Sequence, residues 1–273
     1  MTRRVSFSRQ LERAWQASNS TLCIGLDPRV DLLPASFSKS RDQVLGFCQS
    51  VVDRTAIYAS AFKPNHAFFA SQGLENELAE LIHHIHEHPS EVPVILDAKR
   101  GDIGSTAEHY AIEAFERFGA DAVTVNPFLG WDTVEPFLEY QDRGVFVLCR
   151  TSNEGSGWLQ NQPATNQLYR QIAERVHSLH NPNIGLVVGA TKLAELHEIR
   201  ECAPMTTLLV PGVGAQGARA EDVIATGCNK DGAGVLINVS RGILHHDQSE
   251  DYLEGVEERA RYYNKQTSIA GSQ

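Results

Sequence analysis

Apolar residues in this chain fall in short runs, each closed by a polar or glycine-containing corner and followed by a stretch with helical spacing. Strands are expected near Thr21–Leu26, Ala59–Phe62, Val92–Leu96, Ala122–Val125, Val145–Leu148, Ile184–Val188, Thr207–Val210 and Val235–Ile237. VPVILD, GVFVLC, IGLVVG, TLLVPG and GVLIN are apolar at almost every position, as in parallel strands covered on both faces. Helices are expected at Arg41–Tyr58, Glu75–His88, Ser105–Phe118, Asn166–Leu179, Lys192–Glu201 and Arg219–Thr226. In the second of these, Leu78, Leu81, Ile82 and Ile85 form an i, i+3, i+4, i+7 stripe. Strands alternating with helices in this way predict an α/β fold, a (β/α)8 TIM barrel formed as a single domain over residues 1–273. An open doubly wound sheet is the alternative. Thr151–Gln162 (TSNEGSGWLQNQ) is polar and glycine-rich and reads as a long mobile loop, and the tail Thr267–Gln273 as frayed.

Composition adds exclusions. With 42% hydrophobic and 21% charged residues the chain can build an ordinary globular core. A formal net charge of −10 argues against a nucleic-acid partner, although local cations and backbone N–H groups can still hold a small anion. The five cysteines (Cys23, Cys48, Cys149, Cys202 and Cys228) are scattered without a C-x-x-C pair, and Cys23 and Cys149 sit in apolar runs as buried small hydrophobes. The N-terminal MTRRVSFSRQ lacks the apolar segment of a secretory signal, and no run approaches the ~18 apolar residues of a membrane span. A soluble, cytoplasmic protein is expected.

Charges at the strand ends bring in chemistry. The first strand ends at Asp27, the second at Lys63, and the third at Asp97 and Lys99, with Asp102 in the turn before the next helix. In a barrel these are the positions that form the active-site mouth, and charges there are costly unless paired or used. Asp97 and Lys99, two apart, point to the same side of a strand. Alternating ammonium and carboxylate groups suit a reaction that develops negative charge on carbon, because one ammonium can stabilise and protonate the carbanion while carboxylates keep it charged and placed. Further along, Pro211-Gly212-Val213-Gly214-Ala215-Gln216-Gly217 and Asn238-Val239-Ser240-Arg241-Gly242 follow the seventh and eighth strands. Glycines let backbone approach a phosphate and Arg241 can grip one bidentately, in the loops where barrels commonly bind phosphate.

Seven ordered blocks resemble the orotidine 5′-phosphate decarboxylase family, in particular its longer bacterial subgroup with the motif DAKRGDIGSTA. They are GLDPR (Gly25–Arg29), FKPN (Phe62–Asn65), LDAKRGDIGSTA (Leu96–Ala107), VTVNPFLG (Val123–Gly130), RTSN (Arg150–Asn153), PGVGAQG (Pro211–Gly217) and NVSRG (Asn238–Gly242). The resemblance implies decarboxylation of orotidine 5′-monophosphate to uridine 5′-monophosphate, in de novo pyrimidine biosynthesis, without cofactor or metal. It implies Lys99 as proton donor to C6 of the pyrimidine, Asp97 facing the departing carboxylate, and Lys63 in the charged network and on the ribose. Asp102, flanked by Ile103 and Thr106, would serve the other subunit's site across a homodimer interface. Asp27 would bind a ribose hydroxyl and Ser152 the pyrimidine edge. Gln216, Arg241 and Gly242 would bind the phosphate, with Pro211 also in contact with substrate and the glycine-rich loop acting as a lid.

Two other readings stand beside this one. Metal-dependent sugar-phosphate decarboxylases and aldolases of the same superfamily resemble the D-x-K-x-x-D pattern but carry a metal-binding carboxylate where this chain has Lys63. A barrel that binds a nucleotide or sugar phosphate without catalysis is the other, disfavoured by the presence together of Lys63, Asp97, Lys99 and Asp102. His83, His84, His86 and His88 crowd one helix end, but they flank the apolar stripe and are expected on a solvated face rather than at a metal.

Overall fold

The computed structural model describes residues 4–214, 217–245 and 251–269. Its strands are β1 (Leu22–Leu26), β2 (Ala61–Pro64), β3 (Ile95–Arg100), β4 (Ala122–Val125), β5 (Gly144–Arg150), β6 (Ile184–Val188), β7 (Thr207–Pro211) and β8 (Val235–Val239). They pair in parallel in the order β2-β1-β8-β7-β6-β5-β4-β3. The two end strands also meet: Phe62 N–H donates to Pro93 O at 3.0 Å, and Phe62 and Asn65 bridge to Val94 and Asp97. The ring therefore closes, and sequential strands stay adjacent around it, which excludes the reversal of strand order in a doubly wound sheet.

Closure follows from the period of two along each strand. One residue from every strand (Cys23, Ala61, Ile95, Ala122, Phe146, Val187, Leu209 and Leu236) packs into an inner apolar cluster, separate from the larger one between strands and helices. Phe7 and Leu11, on the helix Phe7–Ser18, plug this cluster from the N-terminal end of the barrel. Two bulky rings, Phe7 and Phe146, meet edge to face at 5.7 Å, and glycines make room for them. A Cβ at Gly144 would lie 2.4 Å from Phe7, and one at Gly185 2.4 Å from Phe146. Two residues further along the same strands the inward layer turns polar, with Lys63, Asp97, Thr124 and Asn238 all buried. The candidate site thus stands on a packed apolar floor.

Most expected elements are present, with shifts that bear on the site. β2 and β3 begin later than expected and run through Lys63 and through Asp97–Arg100, so the charged residues lie within strands rather than after them. The Leu78, Leu81, Ile82 and Ile85 stripe is buried as expected. Two long helices were not expected: Phe7–Ser18, whose apolar positions are widely spaced between charged ones, and Tyr252–Gln266; short ones such as His66–Ala70 and Arg241–Leu244 were not expected either. Thr151–Gln162 is not featureless but folds as two short helical turns, Glu154–Ser156 and Gly157–Gln160. The tail is held further than expected: Thr267 is fully buried, its carbonyl accepts from Thr21 N–H at 2.9 Å, and Ser268 bridges to Ser20. All five cysteines are free, and Cys23, Cys48 and Cys149 are buried. Among the described residues no helix is long and apolar enough to cross a membrane.

Candidate active site

The polar layer opens into a cavity of about 420 Å³ at the C-terminal end of the barrel, lined by Asp27, Lys63, Asn65, Asp97, Pro211, Asn238, Ser240, Arg241 and His245, among others. At its base Asp97 takes two ammonium groups: Lys63 Nζ lies 2.7 Å from Oδ2 and Lys99 Nζ 2.6 Å from Oδ1. Lys63 and Asp97 are buried, whereas Lys99 reaches down from the rim with its side chain 48% exposed. Burial alone would favour the neutral form of each buried partner. Against it, Lys63 and Lys99 hold the Asp97 carboxyl below the usual carboxylate range. Likewise Asp97, with Asp27 behind it, outweighs burial and lifts Lys63 above the ordinary ammonium value. All of this keeps the buried pair ionised through the neutral range.

Lys99 has φ +47°, a left-handed conformation that a residue with a Cβ adopts at a cost of roughly 1–2 kcal/mol. One hydroxyl holds it there. Thr124 Oγ1, from β4, accepts from the backbone N–H of Ala98 (3.1 Å) and of Lys99 (2.9 Å) and donates to Asp97 Oδ1 (3.0 Å). The β3–β4 register shifts between Leu96 and Arg100 at this point. Asp97 and Lys99 therefore do meet on one side, as strand spacing implied, but through an irregular backbone rather than a regular pleat. Arg100 turns outward, donating to Glu113 Oε2 from Nε (3.0 Å) and Nη2 (2.7 Å) and lying over the Tyr110 ring.

Of the motif only Asp97 lines the cavity itself; Lys99 joins it through its ammonium on Asp97, and Asp102, Ile103 and Thr106 are not among the lining residues. Asp102 Oδ1 accepts from Ile103 N–H at 2.8 Å. Ile103 is 62% exposed; Phe128 and Leu129, on the turn after β4, are 65% and 50% exposed. These two loops touch, since a Cβ at Gly101 would lie 2.8 Å from Asn126 O. On the opposite rim Ser152 packs against Gly189, where a Cβ would come 2.7 Å from its Cα. The loop that follows is tied down by buried Arg150, which donates to Glu195 Oε1 (3.1 and 3.0 Å) and to Gln160 Oε1 (3.3 Å). Arg241 and Pro211 line the cavity, Gly242 adjoins Arg241, and Gln216 lies outside the described residues.

Three cavity-lining groups carry buried polar atoms without a hydrogen-bond partner: Asp27 Oδ1, Ser240 Oγ and His245 Nδ1. Such atoms are costly unless a ligand satisfies them. Ser240 sits close against β1 at Gly25, where a Cβ would collide with Ser240 Cβ at 2.6 Å. Burial, then the nearby Arg29, keeps His245 below its ordinary pKa despite Asp27. Thr124, Ser240 and His245 went unassigned in the sequence. Thr124 and Ser240 lie inside motif blocks, whereas nothing local marks His245. Of the crowded histidines, His83 pairs with Glu87 and His84 with Asp53 at the surface. His86 departs from the expected solvated face, because its Nε2 lies 2.8 Å from the buried carboxylate of Asp121. Among the described residues no group of three or more His, Cys, Asp or Glu is placed to hold a metal ion.

A barrel with this charged base matches known proteins over most of its length. The pattern of the orotidine 5′-phosphate decarboxylase / HUMPS family matches residues 20–255. The chain belongs to this family. Within it, the curated relatives narrow the choice between the two names. Orotidine 5′-phosphate decarboxylase of Ralstonia pickettii is 49% identical over 255 residues, covering 92% of this chain and 94% of the relative. That of Cupriavidus necator is 48% identical over 251 residues, covering 91% and 92%. The solved structure of Leishmania donovani OMP decarboxylase superposes with a TM-score of 0.82 at 38% identity, covering 96% of this chain and 99% of that one. The sequence retains the whole DAKRGDIGSTA block, of which Asp97 lines the cavity and Asp102, Ile103 and Thr106 do not.

Proposed function

We propose that this chain, as one barrel domain, decarboxylates orotidine 5′-monophosphate to uridine 5′-monophosphate and CO2 without a metal or organic cofactor. The observation that carries this reading is the buried Lys63–Asp97 pair at the base of the cavity, with the half-exposed Lys99 ammonium on the second oxygen of Asp97. The phosphate would be held by Arg241 and the backbone at Gly242, with Gln216 and Pro211 beside it, and the ribose by Asp27 and Lys63. Ser240 and His245, whose buried atoms lack partners, would add polar contacts on that wall. Ser152 would face the pyrimidine edge. Asp97 would then lie against the substrate carboxylate. As the C6–carboxylate bond breaks, its electron pair stays on C6 and CO2 departs. Lys99 Nζ stabilises the carbanion and gives it a proton, forming the C6–H bond. Being half exposed, Lys99 can recover its proton from water, whereas buried Lys63 cannot do so readily.

The metal-dependent alternative meets a physical obstacle. Lys63 Nζ already occupies Asp97 Oδ2, so a cation on that carboxylate would have to displace an ammonium. An absorbance assay of orotidine 5′-monophosphate consumption, with and without EDTA, tests both points. Turnover unchanged by the chelator is expected; a protein that loses activity with EDTA would sink the metal-free reading, and one that never consumes the substrate would sink the reaction itself.

Asp102, Ile103 and Thr106 are read as part of a homodimer interface, with Asp102 serving the partner's cavity. The support is the exposed apolar set Ile103, Phe128 and Leu129 on the two touching loops, one of which carries Asp102, a carboxylate absent from the lining of its own cavity. Mixing inactive Lys99→Ala and Asp102→Asn proteins should then restore activity, because a hybrid dimer holds one cavity with both residues intact. Statistical mixing predicts about a quarter of parental activity per total active-site count at equal amounts, since half the dimers are hybrid. No recovery despite verified subunit exchange would exclude a donated Asp102. The free thiols suit a reducing compartment such as the cytoplasm.

A further inference from the structure

The two loops read as the phosphate site share a backing that neither contains. Tyr263 lies on the helix Tyr252–Gln266, three turns beyond its start and far from every motif block. Its phenol tip reaches both loops at glycines. A Cβ on Gly214, in the loop after β7, would lie 2.8 Å from Tyr263 Oη. A Cβ on Gly242, after β8, would lie 2.6 Å from the same oxygen and 3.1 Å from Cζ and Cε2. One hydroxyl therefore fills the space in which both side chains would otherwise sit.

The helix behind it is firmly seated. Asn264 Nδ2 donates to Ser18 O and to Tyr58 O, both at 3.0 Å, and Val256 and Ala260 are fully buried. Past its end Thr267 Oγ1 and Ser20 Oγ share a hydrogen bond of 2.7 Å. Nearer its start the Tyr252 hydroxyl donates to Leu244 O, at the end of the short helix Arg241–Leu244 that carries Gly242. Tyr263 is thus a ring on a fixed support, pressed against two loops that come from different strands.

We propose that Tyr263 is a positioning residue for the phosphate site: its phenol tip is the spacer that sets the gap between the loops after β7 and β8. It is not among the residues lining the cavity, so it acts through the loops rather than on the substrate. The chemical reason is the narrow range of charge-assisted hydrogen bonds, about 2.7–2.9 Å, which a dianion must meet from both loops and Arg241 at once. A gap wrong by ~1 Å forfeits that match and can lower the rate ~10²-fold. Glycine at 242 follows from the same contact, since its φ is unexceptional and only the phenol tip stands in the way of a methyl group.

This inference rests on the phosphate assignment made above, and the experiment separates the two. Values of kcat/KM are measured for orotidine 5′-monophosphate and, in long incubations, for orotidine, the nucleoside that lacks the phosphate. Arg241→Ala tests the assignment: it should cut the preference for the nucleotide, and an unchanged preference would remove the phosphate site and the spacer with it. Tyr263→Ala tests the spacer. It should lower kcat/KM for the nucleotide about tenfold or more while changing that for orotidine less than about twofold. Tyr263→Phe, which keeps the ring and helix packing, should fall between it and the parent. Gly242→Ala presses on the same contact from the other side, and its effect should be smaller in a Tyr263→Ala background than in the parent. If Arg241→Ala acts as expected but the Tyr263 variants weaken both substrates equally, or neither, the spacer role is wrong while the phosphate site stands.

Discussion

Lys99→Ala is expected to lower kcat for orotidine 5′-monophosphate by about 10⁴-fold or more while leaving uridine 5′-monophosphate binding within a few-fold of the parent. Two contributions vanish together. The proton donor to C6 is lost, which alone is worth roughly 10²–10⁴-fold. The ammonium charge that faces the carbanion is lost with it, and such electrostatic stabilisation contributes roughly 10²–10³-fold more. Folding should survive, because the Lys99 side chain is half exposed and its removal leaves the buried Lys63–Asp97 pair intact. The backbone cost is unchanged, since alanine inherits the φ of +47° and the Thr124 clamp. Lys99→Arg keeps a charge but not the point donor, and should remain inactive by at least about 10²-fold. Retention of more than a hundredth of parental turnover in Lys99→Ala would refute its role as proton donor.

Asp97→Ala should damage both the fold and the reaction. It strands Lys63, a buried ammonium, without its carboxylate, the kind of change that costs roughly 3–5 kcal/mol. Denaturant unfolding at neutral pH measures this. A paired replacement, Lys63→Met with Asp97→Leu, removes both buried charges and should recover most of the stability but none of the activity, so that stability and chemistry separate. The pH dependence has a definite sign. Asp97 has a depressed pKa in the folded state, so its stabilisation is present above the ordinary carboxylate range and is lost as pH falls through the folded value. The Lys63 value is raised, so its stabilisation is present below the ordinary ammonium value and is lost as pH rises through the folded one. Measured against Lys63→Met with Asp97→Leu, in which neither group titrates, the stability of the parent should therefore be flat from about pH 5 to 9 and fall on acidification below about pH 4. A difference that changes already between pH 6 and 8 would show that the pair is not ionised as described.

Much of this was legible from local pattern. Continuous apolar runs identify strands covered on both faces, and eight of them alternating with amphipathic stretches favour a closed α/β ring, although an open doubly wound sheet shares that pattern and only the structure excludes it. The charges ending those runs, Lys63, Asp97 and Lys99, marked the mouth of the barrel, and strand periodicity put Asp97 and Lys99 on one side. The resemblance implied a separate role for Asp102, and Asp102, Ile103 and Thr106 are not among the residues that line their own cavity.

Contacts between strands were beyond that reach. Periodicity gives the direction of a side chain but not the register that sets Lys63 against Asp97 across the ring's closing seam, where only isolated bridges join β2 to β3. Nor does it reveal that Thr124, 25 residues beyond Lys99 in sequence, holds the left-handed turn at Lys99, the proposed proton donor. The helix Phe7–Ser18 was not among the expected helices, and Phe7 packs into space that Gly144 leaves open. Ser240, His245 and Tyr263 gain their places from loops and a helix brought together at the rim. The chain's own pattern thus determined the α/β class and the kinds of groups at the strand ends, because both follow from short-range periodicity and residue chemistry. Tertiary structure alone decided which groups touch, since those distances depend on barrel closure, on register and on segments hundreds of residues apart.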